Sequence, residues 1–275
     1  MNWEVFNSFA FFFPQILLGA IVGVLLSIFG SFLVLRNMSF LGLTLAQVVS
    51  SGVAVSLFLG LEGEWFAILF SLIIISPLVS SKDLSNSQND TLLGVLFVFF
   101  ASFSQFLLSM GGNVKNQIMA SYFGDILTNQ INLTKMEPIL LALSFLFFLL
   151  FYKKFLFLSF DKEEFIVRNY SIFFYEMIFY TIAIVLVSIA IHLLGSFYAT
   201  AHLLVPSFVA LSFVRSMSGL LLFSALISFC ATVVGFGISL IGFPYHEEVI
   251  YFPTSSTIVI LLAGLGLGLK LLKKR

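Results

Sequence analysis

From Phe9 to Leu35 the chain runs without a single Asp, Glu, Lys or Arg, and the run stops at Arg36-Asn37. Such a run exceeds the roughly 20 residues that a helix needs to cross the hydrocarbon core of a bilayer. Similar apolar stretches recur to the end of the chain: Phe40–Gly60, Trp65–Ser80, Thr91–Met110, Pro138–Leu158, Phe173–Leu194, Gly195–Val214, Leu220–Ile241 and Ile258–Leu272. Only 9% of the 275 residues are charged, against about 25% in ordinary globular chains. At about 30 residues per span and loop, the length accommodates about nine spans. The expectation is an all-α polytopic helical bundle of eight to nine transmembrane helices, one transmembrane domain over residues 1–275, in a lipid bilayer. The count turns on Gly195–Val214, which His202 and Pro206 interrupt.

This composition excludes a secreted enzyme and a disordered linker. Thirteen basic and thirteen acidic residues cancel, so there is no basic field to hold nucleic acid. A lone cysteine, Cys230, excludes an intramolecular disulfide and reads as an inert packed thiol. Residues 1–8 contain Glu4 and no basic residue, so no signal peptide is expected. Arg36, Lys82, the Lys153/Lys154/Lys162/Arg168 group, Arg215 and the basic tail fall on alternate loops. Glu4, Glu62/Glu64 and His246-Glu247-Glu248 occupy the opposite ones, with Lys115 and Lys135 as exceptions. The positive-inside rule then puts the C-terminus in the cytoplasm and, for nine crossings, the N-terminus outside.

Polar groups within the spans carry the functional information, because they are costly in lipid and face a cavity or a partner helix. Thr44, Gln47 and Ser51 follow i, i+3, i+7 spacing and share a helical face. They form either a cavity-lining stripe or interhelical hydrogen bonds. Continuous helix would hold His192 and His202 about 15 Å apart, so a shared metal site needs a break at Gly195; the alternative is a packing histidine at each position. His246-Glu247-Glu248 reads as an exposed acidic loop or a cation-capturing one. Asp90 and Asp125 suit helix N-caps. Residues 159–166 mix charged and apolar side chains, as a short amphipathic helix or a solvated loop would. Gly19, Gly23, Ser27 and Ser31, and again Gly264 and Gly268, have the spacing that lets helices approach closely. Glu176 is the carboxylate well inside a span, near its end, which argues against an ion-coupled carrier. No nucleotide-binding, HExxH or GxSxG motif is present, so the chain is not expected to be an enzyme.

Several strings assemble into a recognisable order. Gly30-Ser-Phe-Leu-Val-Leu-Arg-Asn-Met-Ser39, Leu45-Ala46, Gly52-Val53-Ala54, Asp90-Thr-Leu-Leu-Gly94, Tyr122-Phe-Gly-Asp-Ile-Leu127, Ser159-Phe-Asp-Lys-Glu163, Ala201-His-Leu-Leu-Val-Pro206 and Pro253-Thr254 resemble, in sequence order, the permeases of zinc/manganese/iron ABC importers. The resemblance implies a homodimeric, multi-pass subunit of the bacterial inner membrane. It would take a divalent metal (zinc, manganese or iron) from an extracytoplasmic metal-binding protein. ATP would be hydrolysed by a separate cytoplasmic ATP-binding subunit, with no covalently bound cofactor on this chain. It implies an ATPase contact at Phe160, Asp161 and Glu163, which match its motif. The polar residues of the spans themselves, Thr44, Gln47, Ser51 and His202, are the expected substrate pathway, with His202 as the metal-contacting residue.

Two departures from that family matter. Its second span usually reads G-D-x-L-(S/A)-H, a carboxylate and an imidazole one turn apart; here Leu43 and Gln47 stand in those places. His202 stands where the family typically has an aliphatic residue. Either the metal path is rebuilt around His202, or a different or weaker-bound species moves, or the chain no longer transports. A permease for a metal chelate or cobalamin-like cargo, and an ATP-independent carrier, are the alternative functions.

Overall fold

The computed structural model describes residues 11–61, 65–80, 87–110, 136–241, 243–245 and 248–272. These residues form helices α1 (Phe13–Leu35), α2 (Ser39–Phe58), α3 (Trp65–Ser80), α4 (Ser87–Ser109), α5 (Met136–Phe160), α6 (Lys162–Val167), α7 (Ile172–Leu194), α8 (Ser196–Ala210), α9 (Met217–Leu240) and α10 (Thr254–Leu272). A short antiparallel hairpin, β1 (Phe243–Tyr245) and β2 (Glu248–Ile250), pairs Phe243 with Ile250 between α9 and α10. The helical fold expected from sequence is the one observed. Six described helices are long and apolar enough to cross a bilayer, namely α1, α2, α4, α5, α7 and α9. The apolar parts of α3, α8 and α10 are shorter; these are the third, seventh and last of the expected stretches.

Helix ends follow local chemistry. After α1, the amide of Met38 donates to Leu33 O and that of Asn37 to Val34 O, with Asn37 at φ 58°. After α6, Tyr170 and Asn169 bond to Phe165 O and Ile166 O in the same way, with Asn169 at φ 58°. Both are Schellman turns, and asparagine is among the few non-glycine residues that accept the left-handed conformation they require. At Gly195, φ 89° allows α7 to end and α8 to begin without a connecting loop.

The chain divides into two compact units: the described residues of Met1–Ser31 and Ala190–Arg275, and those of Phe32–Met119 and Leu133–Ile189. In the first unit, α8 packs on α9 and α10. Gly30 of α1 meets α8 so closely that an added Cβ would sit 1.5 Å from Leu203 O. Small residues allow such backbone contact where lipid supplies no hydrophobic drive for helix association. In the second unit, α2 packs on α3 and α4. The ring of Phe32 sits among Phe148, Tyr152 and Phe179 at centroid distances of 5.9, 6.3 and 6.0 Å. Along α5, Phe145, Leu146, Leu149 and Leu150 are exposed, as suits a lipid-facing helix.

Several local expectations are corrected. Asp90 is not an N-cap but lies inside the first turn of α4, where a carboxylate favours the helix dipole. Cys230 is exposed on α9 rather than packed. Added Cβ atoms at Gly264 and Gly268 would meet nothing within 4 Å, so these glycines seat no helix in the described structure. Residues 122–127 with Asp125, and Glu4, Glu62, Glu64, Lys82, Lys115, Lys135, His246, Glu247 and the tail 273–275, lie outside the described residues.

Candidate functional site

In the second unit, the α2 stripe divides in two. Thr44 and Ser51 are buried and face α4. The Thr44 hydroxyl shares its proton between Phe40 O and Leu93 O, each at 3.0 Å. Ser51 donates to Phe100 O at 2.8 Å and to Gln47 O at 2.9 Å, and meets the Ser104 hydroxyl at 2.8 Å. The bonds to Leu93 O, Phe100 O and Ser104 run between helices, each contributing about 1 kcal/mol in lipid, whereas those to Phe40 O and Gln47 O stay within α2. Gln47 behaves differently: it is half-buried beside the half-buried Leu43, and its Oε1 makes no hydrogen bond. That oxygen, itself buried, is a neutral carbonyl with unused lone pairs.

His202 belongs to the first unit and is fully buried. Its Nδ1 lies 3.1 Å from Tyr198 O, and its Nε2 lies 3.1 Å from Thr232 Oγ1. A carbonyl only accepts, so Nδ1 carries the proton and Nε2 is the acceptor in the neutral ring. Thr232 also lies 3.0 Å from the Tyr198 hydroxyl, which in turn donates to Gly19 O at 2.9 Å. The network ties α8 to α1 and α9, and both ring nitrogens are spent in it. A Cβ at Gly23 would come within 2.7 Å of His202 Cδ2 and 2.5 Å of the Tyr198 hydroxyl. One layer along α1, the Ser31 hydroxyl meets those of Ser207 and Ser224 at 3.1 and 3.0 Å, and Ser207 donates to Ser27 O. The α1 stripe of small residues is therefore the seat of α8. His192 is exposed, whereas His202 is buried. Among the described residues, no group of three or more His, Cys, Asp or Glu side chains is placed to hold a metal ion.

The segment 159–168 spans the end of α5 and the short helix α6, which has one anchored face. Asp161 caps α6, its carboxylate accepting from the Glu164 amide at 2.9 Å. Phe165 is buried between Phe157, Tyr170 and Tyr175 at 5.4, 5.0 and 5.3 Å. Phe160, Glu163, Ile166 and Val167 are exposed on the other side. Of the three expected ATPase-contact residues, Phe160 and Glu163 present free surfaces, whereas Asp161 is occupied in shaping the helix.

Beneath α6 lies a charged cluster whose members were individually visible in sequence but not their meeting. Arg36 donates through Nε to Ser159 Oγ at 2.8 Å and through Nη2 to Phe155 O at 3.3 Å. Its Nη1 is 4.0 Å from Glu176 Oε1, and Lys162 Nζ is 3.7 Å from the same oxygen. The guanidinium also lies over the Phe179 ring at 5.2 Å. Burial pulls the Arg36 pKa below its ordinary value, while Tyr180 and Glu176 draw it back up; an arginine nonetheless stays charged in a protein. The usable signal was a lone carboxylate in an apolar run, which demands a buried cation.

Comparison with known proteins agrees with this architecture. The ABC 3 transport family model matches residues 8–271. The chain is 27% identical over 235 residues to the manganese import system permease protein ScaB of Streptococcus gordonii, covering 83% of this chain and 82% of that one. It is 24% identical over 231 residues to the high-affinity zinc uptake system membrane protein ZnuB of Haemophilus influenzae, covering 82% and 87%. The structure of PsaBC from Streptococcus pneumoniae in complex with Fab superposes with a TM-score of 0.77 at 22% identity, covering 97% of this chain and 94% of that one; that likeness bears on the fold. With the family match running almost end to end, this chain is a member of the ABC 3 transport family.

Proposed function

We propose that the chain is the membrane-spanning permease subunit of a divalent-metal ABC importer in the bacterial inner membrane, working as a homodimer. A separate ATP-binding subunit docks from the cytoplasm, and an extracytoplasmic binding protein delivers the metal. Family membership supports the class of transport. The observation that carries the docking is α6 with the adjoining end of α5: Phe165 is buried, while Phe160 of α5 and Glu163, Ile166 and Val167 of α6 are exposed. An anchored short helix with an apolar and acidic outer face is suited to a soluble partner.

Within the pathway, Gln47 is the residue we assign to cargo contact, since its carbonyl oxygen is unpaired. Thr44 and Ser51 hold α2 on α4, and His202 holds α8 on α1 and α9. A pathway that offers an amide oxygen where relatives resembling this chain offer a carboxylate and an imidazole binds a bare divalent ion weakly. It releases the ion readily, and alternating access in the dimer then needs little energy to break ligands. The same feature favours a second reading, a metal that travels inside a chelate.

Docking is tested on the detergent-purified complex with Phe160→Asp and Glu163→Lys, which leave the Asp161 cap intact. Loss of ATPase-subunit co-purification by about tenfold or more, at unchanged permease yield, is expected for central interface residues. Undiminished co-purification would remove α6 from the interface.

A further inference from the structure

Arg36, Asn37 and Met38 form the whole connection between α1 and α2, the helix that carries Gln47. One face of α7 grips this connection. Glu176 faces the Arg36 guanidinium at 4.0 Å, Phe179 lies beneath it, and the Tyr180 hydroxyl reaches Met38 Sδ at 3.9 Å. The end of α5 grips it from a second direction through Phe155 O and Ser159 Oγ. Glu176 holds a further partner, Lys162, the first residue of α6. A single buried carboxylate thus touches the helix that meets the ATPase and the turn that launches the pathway helix.

We propose that the Arg36–Glu176–Lys162 cluster is a mechanical relay, with Glu176 and Lys162 as positioning residues that transmit displacement of α6 to the start of α2. The inference rests on α6 being the ATPase contact. The electrostatics suit the task. Arg36 is fixed by two hydrogen bonds and a ring face, so the shared carboxylate is the adjustable element between two cations. Lys162 has a side chain 42% exposed, against 4% for Glu176. A shift of α6 moves the ammonium and changes the balance of charge on Glu176, and with it the hold of that carboxylate on Arg36 and its turn. Gln47 lies about two turns into α2, close enough to feel a change in the angle at which that helix starts.

Because Cys230 is the chain's sole cysteine, the relay can be read without knowing the cargo. In a Cys230→Ser background, Leu43→Cys places a thiol on α2 for maleimide labelling in the complex with the ATPase subunit. Glu176→Gln would leave Arg36 buried without its counter-charge, so the break is made at the half-exposed Lys162, with Lys162→Met and Lys162→Arg. Addition of Mg-ATP is expected to change the labelling rate of residue 43 several-fold in the parent and in Lys162→Arg. In Lys162→Met that response should vanish while the ATPase subunit remains bound and hydrolyses ATP. A response that persists in Lys162→Met, or is absent in the parent complex, overturns the relay. Loss of the bound ATPase subunit in Lys162→Met also overturns it, since the cluster would then be a docking scaffold. A parent chain that captures no ATPase subunit overturns instead the reading of α6 on which the relay rests.

Discussion

Arg36 and Glu176 are 140 positions apart in sequence, yet their charged groups lie 4.0 Å from each other with both side chains only 4% exposed. Removing one member of a buried pair leaves an uncompensated charge and destabilises by about 3–5 kcal/mol. Glu176→Gln should therefore lower the unfolding temperature of the purified chain markedly. The double change Arg36→Met with Glu176→Leu should recover much of the loss. A Glu176→Gln chain that melts with the parent would mean that the pair contributes nothing to the fold.

His202 holds α8 through hydrogen bonds at both ring nitrogens. Its replacement by Ala removes two hydrogen bonds and a buried ring, and should destabilise by about 2–4 kcal/mol. Thr232→Val, which disturbs the same network at its centre, should act in the same direction by about 1–3 kcal/mol. Chemical denaturation in detergent reads both. A His202→Ala chain of parental stability with reduced metal uptake would restore the histidine to the pathway.

The glycines make a paired test of the helix contacts. Gly30→Ala drives a methyl into the backbone carbonyl of Leu203, and overpacking of this kind costs about 1–3 kcal/mol or more. Gly264→Ala meets open space and should stay within about 1 kcal/mol of the parent, toward greater helix stability. Equal effects at the two positions would contradict the α1–α8 contact.

The order of the helices was legible because charge-free runs and their basic punctuation mark a membrane chain directly. Arg36-Asn37 even marked the end of α1. The helix faces were not legible. In lipid both sides of a span are apolar, so hydrophobic periodicity does not tell the buried side from the exposed one. For that reason Cys230 was expected to be packed, and Gly264 and Gly268 to seat a helix. Thr44, Gln47 and Ser51 were correctly placed along one helix, but spacing alone could not say which hydroxyls meet carbonyls of α4. Glu176 stood out, whereas its joint use by Arg36 and Lys162 depends on folding three distant segments together.

The cargo contact proposed at Gln47 leads to a gain-of-ligand prediction. Leu43→Asp with Gln47→His supplies a carboxylate and an imidazole one turn apart, a geometry suited to a divalent ion. Uptake should then saturate at a lower metal concentration and slow at high concentration, because a tighter site releases its ion less readily. Unchanged concentration dependence would place cargo contact elsewhere than this turn of α2.

ATP-driven passage of a divalent metal through this chain is tested most directly by uptake of manganese and zinc into proteoliposomes containing the chain with its ATPase subunit and binding protein. At least one of the two ions should accumulate, and accumulation should stop when ATP is withheld or the ATPase subunit is inactivated. Entry that is indifferent to ATP, or no entry of either free ion while a chelated metal is taken up, would contradict it.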